Sequence, residues 1–301
     1  MAANSASPAE SFRCGAVAII GRPNVGKSTL VNALVGERIS ITSSKPQTTR
    51  HRIRAILTDA NSQFIFVDTP GFQTRHRSEL NKVMNQGVRM AVDEVDAIVL
   101  VVEAGRFDEE DKRLLSLVPA GIPLLLAVSK TDKVRRDQLV PFLQKISGEA
   151  SFSEIIPVSS EKRRNLREFL ATLRRYLPEQ AAIYGPEELT DRSERFLAAE
   201  RIREKLFRLL GEEVPYGTTV VIEKFETEGK LRRIYASIVI AKDSYKPIVI
   251  GAGGAKLKAV ASGARIDLER LFGGKIYLEV FVKVSSGWTD NVASLASLGY
   301  D

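Results

Sequence analysis

Cysteine is nearly absent from this 301-residue chain: Cys14 stands alone, so no intramolecular disulfide can form, which fits a reducing compartment. Cys14 opens an apolar run and reads as a buried, inert thiol. No apolar run approaches the roughly 20 residues of a membrane-spanning helix; residues 97–102 make a typical stretch. The first dozen residues, MAANSASPAESF, have neither the basic start nor the apolar stretch of a signal peptide, and residues 1–12 read as a disordered tail. Internal repeats and low-complexity segments are missing beyond that tail. What remains is globular: 44% hydrophobic, 27% charged and long enough for two domains. The net charge of +7 makes an acidic partner, nucleic acid or anionic lipid, plausible.

From residue 14 to about 177, β-rich runs alternate with amphipathic stretches. Strands are expected at 14–21, 52–59, 63–69, 96–103, 123–130 and 155–159, and helices at 27–35, 80–92 and 165–177 among others. Alternation of this kind predicts an α/β doubly wound, mostly parallel six-stranded sheet. Only a few residues around Ala60 join the second and third strands, too few for a parallel crossover, so that pair should be an antiparallel hairpin. Residues 13–180 make the first expected domain and 181–190, with Gly185-Pro186, a linker. Over 191–301 the pattern changes to α-β-β-α-α-β: a helix at 196–210, strands at 218–225 and 232–241, a helical region broken at 251–254 and again near Ser262-Gly263, and a strand at 275–284. Asp191 and Glu194 have the spacing of a capping box ahead of the first helix.

The first domain carries a nucleotide constellation. Gly21-Arg22-Pro23-Asn24-Val25-Gly26-Lys27-Ser28, then Thr29, follows a strand and opens a helix, the setting in which Gly-x4-Gly-Lys-Ser cradles phosphates. Loop N–H groups and the helix dipole favour anions, Lys27 reaches the β and γ phosphates, and Ser28 ligates Mg²⁺. Asp68-Thr69-Pro70-Gly71, about 40 residues on, ends the third strand. Its carboxylate can hold Mg²⁺ through water, and the Gly71 N–H can meet the γ-phosphate; taken alone, Asp-x-x-Gly is more often a plain turn. Ser129-Lys130-Thr131-Asp132 ends the fifth strand. Asp132 can accept from guanine N1–H and its exocyclic amine, which adenine does not match, while the Lys130 stem covers the base. Ser159-Ser160 ends the sixth strand and can offer an N–H to guanine O6. Between the first two motifs, 45–50 (KPQTTR) is a polar loop or a switch in which a threonine completes the Mg²⁺ shell; Thr49 is favoured over Thr48. Catalytic weight falls on Lys27, Thr49 and Gly71. Phe72 stands where other GTPases place a water-orienting glutamine, so intrinsic turnover should be slow.

In the second domain, Gly251-Ala252-Gly253-Gly254 with Lys256 and Lys258 lies between helical stretches. It is either a structural turn or a loop that lets a nucleic-acid backbone approach, and the element order favours RNA. Global charge does not help: residues 181–301 hold 18 Lys and Arg against 17 Asp and Glu, while residues 1–180 hold 26 against 20. A basic footprint must be local, at Lys242, Lys246, Lys256, Lys258 and Lys283. The charges Glu200, Arg201, Arg203, Glu204, Lys205 and Arg208 are expected on a solvated helix face.

Taken in order, these segments resemble the Era family of bacterial ribosome-assembly GTPases, from residue 13 to about 300. The most specific are 21–30, 39–54 (ISITSSKPQTTRHRIR), 68–71, 190–204 (TDRSERFLAAERIRE), 249–258 and 283–288 (KVSSGW). The resemblance implies a GTPase domain using GTP/GDP and Mg²⁺, joined to a type II KH RNA-binding domain. It implies binding near the 3′ end of 16S rRNA, a role in assembling the small ribosomal subunit, a cytoplasmic location with peripheral contact at the inner membrane, and no obligate oligomer. In the wider class an Asn at the position of Asn24 helps to bind K⁺. Two rival readings are an RNA-binding scaffold with GTP as structural ligand and a membrane-surface GTPase. Three positions depart from the family pattern: Ser129 replaces an Asn, Ser160 replaces an Ala, and the loop interior Ala252-Gly253 carries no basic residue.

Overall fold

Apolar runs without polar alternation need cover on both faces of a sheet. The computed structural model, which describes residues 11–73, 78–211 and 213–300, shows that cover; of the tail read at 1–12, only Ser11 and Phe12 lie inside the described residues. Strand β1 (Arg13–Ile20) leads into helix α1 (Lys27–Val35). Strands β2 (Ile53–Thr58) and β3 (Ser62–Asp68) form the expected antiparallel hairpin. Its turn is closed by the Asp59 carboxylate, which accepts from the Asn61 N–H and the Ser62 hydroxyl, both at 2.9 Å. Then follow α2 (Glu79–Asp93), β4 (Ala97–Glu103), α3 (Glu109–Leu115), β5 (Leu124–Ser129), α4 (Arg136–Ile146), β6 (Glu154–Pro157) and α5 (Leu166–Arg174).

The sheet order is β2-β3-β1-β4-β5-β6, parallel except for β2. Val17, Ile19, Val99 and Val101 pack with Leu30 and Phe169 on one face. Their neighbours Ala18, Ile20, Ile98 and Leu100 pack with Val88, Leu114 and Ile146 on the other. Strand order reverses at β1, so the carboxyl ends of β1, β3 and β4 open the crevice where doubly wound sheets hold ligands. Residues 181–190 lie along the β2 edge: Gln63 Oε1 accepts from the Ile183 and Tyr184 N–H groups, and the Leu189 carbonyl accepts from Ile56. That contact covers an otherwise open edge.

The second unit consists of α6 (Glu194–Leu209), β7 (Thr218–Glu228), β8 (Leu231–Ile240), α7 (Lys246–Ile250), α8 (Ala255–Phe272), β9 (Lys275–Val284) and α9 (Val292–Ser297). Its sheet runs β7-β8-β9, antiparallel then parallel, with α6 and α8 burying one face through Ile202, Leu206, Val260 and Ala264. The expected break near Ser262-Gly263 is absent, since α8 runs unbroken through both residues. The expected capping box is not formed. Ser193 sits directly before α6 and its hydroxyl accepts from the Phe196 N–H, while Glu194 pairs with Arg232 at 2.8 Å.

The two units meet at Arg50, which is 2% exposed. Its guanidinium donates to the carbonyls of Thr218 (2.8 Å), Pro215 and Tyr216 (both 3.1 Å), with the Phe207 and Trp288 rings at 5.4 and 5.8 Å. Residues 285–300, beyond the last expected strand, complete the seam: Trp288, Leu295 and Tyr300 pack with Leu80 and Met84 of α2. His51 stacks on Tyr300 at 4.6 Å. Burial holds its pKa at about 4; Glu200 opposes this, and Arg203, Arg192 and Arg50 reinforce it. A base held neutral by the fold stabilises fully above its unfolded pKa of about 6.5, and loses that contribution as pH falls toward 4. Denaturant unfolding should therefore show about 1 kcal/mol lost from this group between pH 7.5 and 5.5. His51→Gln should flatten that slope, and an unchanged slope would place the titration elsewhere.

Candidate functional site

The carboxyl ends of the strands place the nucleotide motifs around one cavity of about 320 Å³, lined by residues from the 23–29, 41–49 and 129–133 segments, though not by Val25, Pro46 or Thr131, with Gly71, Ser160 and Glu161. Two glycines are required by contact. A Cβ at Gly21 would come within 2.5 Å of the Val101 carbonyl, and one at Gly71 within 2.7 Å of the Pro23 Cα. Gly71 thus backs directly onto the 21–28 loop, joining two motifs that are 50 residues apart. Asn24 and Gly26 take positive φ, 65° and 104°, and turn the loop into α1. Lys27 is buried and its ammonium donates to the Gly21 and Arg22 carbonyls at 2.9 Å. Burial lowers its pKa to about 8, against the pull of Asp68.

Asp68 is fully buried, and neither carboxylate oxygen has a hydrogen-bond partner among the described residues. Burial raises its pKa, partly offset by the adjacent Ser28 hydroxyl, the Lys27 charge and the Ser40 hydroxyl, which lie near the carboxylate without completing a hydrogen bond of ordinary geometry to it. An unpartnered buried carboxylate is costly and calls for a cation or a bound water shell. The Ser28 and Thr49 hydroxyls lie 2.8 Å apart. Thr48 turns back into its own loop, bonding the Lys45 carbonyl (2.7 Å) and Ser43 (2.8 Å). Among the described residues no cluster of three His, Cys, Asp or Glu side chains is poised for a metal. A hydroxyl pair with one carboxylate instead suits Mg²⁺, which keeps waters and takes phosphate oxygens.

At the far end of the cavity the Asp132 carboxylate accepts from the Ser159 hydroxyl at 2.5 Å, which holds its pKa below the usual range. Lys130 adopts a left-handed backbone (φ 55°) and its ammonium meets Glu103 at 3.1 Å. Ser160 lines the cavity. Five expected site residues direct their side chains elsewhere. Arg22 reaches the Asp111 carboxylate at 2.8 Å and Asp108 at 3.3 Å, tying the loop to α3. The Thr69 hydroxyl donates to the Ile19 carbonyl, Phe72 packs in the core with Val88, and Val25 is buried. Ser129 is buried and shares its hydroxyl proton between the carbonyls of Val25 (2.5 Å) and Val102 (2.9 Å). It ties the phosphate loop to the end of β4.

In the second unit Gly251, Gly253 and Gly254 take φ values of 74°, 55° and 79°, linking α7 to α8. A Cβ at Gly251 would press on Lys256, whereas Gly253 and Gly254 face open space. Ala252, Lys242, Lys246, Lys256 and Lys258 are exposed, but Lys283 is paired with Glu223 at 2.6 Å. Of the six α6 charges expected on a solvated face, only Arg208 is exposed and Lys205 is half-buried; Glu200, Arg201, Arg203 and Glu204 are buried at 4% exposure or less. They face residues 38–50. Glu204 accepts from the Thr42 N–H at 3.1 Å, and Lys45 reaches the Phe207 carbonyl at 2.5 Å as well as that of Leu210. Buried charge on a helix has no periodic signal that distinguishes it from exposed charge, so sequence reasoning missed this surface.

Fold and site together define a P-loop GTPase domain followed by a KH domain. Residues 16–130 match the 50S ribosome-binding GTPase family and residues 213–289 the KH domain family. GTPase Era from Nitrosomonas eutropha is 53% identical over 97% of this chain and 99% of its own length, and that from Bordetella avium is 49% identical over 97% and 99%. The chain belongs to the Era GTPase family. Two solved structures superpose over 96% of the chain with a TM-score of 0.93: an Aquifex aeolicus Era variant bound to GDP.AlF4⁻ (33% identical), and Era in complex with MgGDPNP and nucleotides 1506–1542 of 16S ribosomal RNA (34% identical).

Because the Ser129 hydroxyl bonds the phosphate loop, Ser129→Ala should weaken GDP and a non-hydrolysable GTP analogue alike, by about fivefold each, the worth of one neutral hydrogen bond. Fluorescent-nucleotide titration reads this. A loss that depends on whether the base is guanine or hypoxanthine would instead place the hydroxyl on the base.

Proposed function

We propose that this GTPase binds GTP with Mg²⁺, hydrolyses it slowly, and uses its KH unit to engage 16S rRNA near the 3′ end during small-subunit assembly in the cytoplasm. The observation that carries the nucleotide half is the convergence of Lys27 and the Ser28–Thr49 hydroxyl pair at one end of a cavity whose other end holds Asp132, with the buried Asp68 carboxylate behind them, beside Lys27 and Ser28. The RNA half is supported by the likeness to the Era complex with nucleotides 1506–1542. We divide the work between residues 13–180 and 191–301, with 181–190 as the connection.

Ser28 and Thr49 would hold Mg²⁺ directly and Asp68 through water; the ion neutralises charge on the phosphates. With a pKa of about 8, Lys27 stays mostly protonated near neutral pH; a polyphosphate would raise that pKa, and the ammonium would reach the β and γ oxygens. The N–H groups of residues 24–29 cradle the β-phosphate, and the Gly71 N–H meets the γ-phosphate. Asp132 accepts from guanine N1–H and the exocyclic amine; Ser159 and Ser160 frame the O6 side, and Lys130 covers the base. Phe72 lies 6% exposed within the core and has no group to orient water. Turnover then rests on electrostatics and backbone donors, well below about 1 s⁻¹ without a partner. Asn24, on the cavity wall, would help to hold K⁺, and faster hydrolysis in K⁺ than in Na⁺ would show it.

On the RNA side, the Gly251–Gly254 turn lets a sugar-phosphate backbone approach. The exposed Lys256 and Lys258 and the uncapped N-terminus of α8 supply positive potential. No helix among the described residues is long and apolar enough to cross a membrane. Any membrane contact would be peripheral and would draw on the net positive charge of residues 1–180.

GTP hydrolysis measured with and without a 16S 3′-end oligonucleotide tests the reading, with stimulation as the expected result. Gly254→Asp should lower oligonucleotide affinity at least tenfold and leave GDP binding unchanged; normal RNA binding by that variant would remove the loop from the interface. Asp132→Asn should exchange guanine for xanthine preference, because xanthine presents an acceptor where guanine has its amine.

A further inference from the structure

Helix α6 belongs to the KH unit, yet one of its buried side chains holds the backbone beside Thr49. Arg203 is 1% exposed, and its guanidinium grips Glu200 with two bonds, Nε to Oε1 at 2.7 Å and Nη2 to Oε2 at 2.6 Å. The same Nη2 donates to the Thr48 carbonyl at 2.5 Å. The Phe207 ring lies 5.2 Å from the guanidinium carbon. Burial would raise the Glu200 pKa, but the charge and hydrogen bonds of Arg203 outweigh it and keep the carboxylate ionised. A planar fork fixed at both tines has little rotational freedom, so the carbonyl it holds is fixed too.

That carbonyl shares one rigid peptide plane with the N–H of Thr49. Thr49 follows at once, with its hydroxyl 2.8 Å from that of Ser28. Glu204, one residue after Arg203, accepts the Thr42 N–H and secures the other end of the same segment. Two buried charges add little net stability over an apolar pair of similar size, so stability alone does not account for this one.

We propose that Arg203 is a positioning residue for the GTP-bound site. Supplied by the RNA-binding unit, it holds the Thr48–Thr49 peptide so that the Thr49 hydroxyl faces Ser28, and thereby sets the preference for GTP over GDP. This rests on the reading of Thr49 as the residue that completes the Mg²⁺ shell only when the γ-phosphate is present. GDP relies on the phosphate loop and Asp132, neither of which Arg203 touches.

The test uses the full chain and fluorescent GDP and GppNHp, with affinity and the Mg²⁺ concentration needed for half-maximal nucleotide retention as readouts. Arg203→Lys keeps a charge for Glu200 but loses the fork. Glu200→Met/Arg203→Met removes both charges and leaves an apolar seam, which keeps the test open if the single variant folds poorly. Both should lose about tenfold to a hundredfold in GppNHp affinity, the worth of one charge-assisted hydrogen bond, and need more Mg²⁺, with GDP affinity within twofold of the parent. Equal losses for both nucleotides in the folded double variant would mark Arg203 as structural and overturn the proposal. Thr49→Ala separates the two levels. If it keeps the full preference for GppNHp, the reading of Thr49 fails and the proposal falls with it. If Thr49→Ala loses the preference while both Arg203 variants keep it, the proposal alone fails.

Discussion

The burial of the Arg50 guanidinium inside the second unit is the constraint on which the rest depends. It is a charge removed from water with three backbone carbonyls, rather than a carboxylate, as its nearest partners. Burial lowers its pKa, yet a guanidinium stays charged at any physiological pH. An arrangement of this kind holds only while the donors and acceptors stay in register, because separation leaves a buried cation and orphaned carbonyls, each costly. The 215–218 turn, the Phe207 ring, Trp288 and Tyr300 are all organised around that one side chain.

Arg50 is also the residue after Thr49. The chain from Ile39 to Arg50 therefore serves two structures at once. Its inner side walls the nucleotide cavity, and its outer side is pinned to α6 and the 215–218 turn. A segment shared between a ligand site and a domain seam cannot move for one without moving for the other. Helix α2, which follows the Asp68–Gly71 motif, meets the same seam through Leu80 and Met84. Both segments beside the cavity, 39–50 and the one leading into α2, thus rest on the second unit.

Much of this was legible from sequence because the signals are local. The phosphate loop, the Asp68 and Asp132 motifs, the six-stranded sheet with its antiparallel edge, and the α-β-β-α-α-β order each rest on spacing within a few residues, and the strands and helices lie close to where the periodicity puts them. The rest depended on partners distant in sequence. Glu200, Arg201, Arg203 and Glu204 read as solvent-facing, like the exposed Arg208, because nothing within that helix announces the 38–50 loop packed against it. Ser193 rather than Asp191 caps α6, since a cap is decided by which oxygen reaches the N–H of the third helical residue. Which group the Ser129 hydroxyl bonds is decided by the Val25 carbonyl, 2.5 Å away and 104 residues distant in sequence. Residues 285–300 form no strand and carry little periodicity, so their place under α2 had no local signature.

Hydrogen exchange of the full chain with Arg50 replaced by alanine tests the shared-segment view most directly. Amides of residues 39–50 should exchange much faster than in the parent protein, while those of β1, β4 and β8 keep their protection. Unchanged protection across 39–50 in a folded Arg50→Ala variant would contradict it, because the loop would then be held by the nucleotide domain alone.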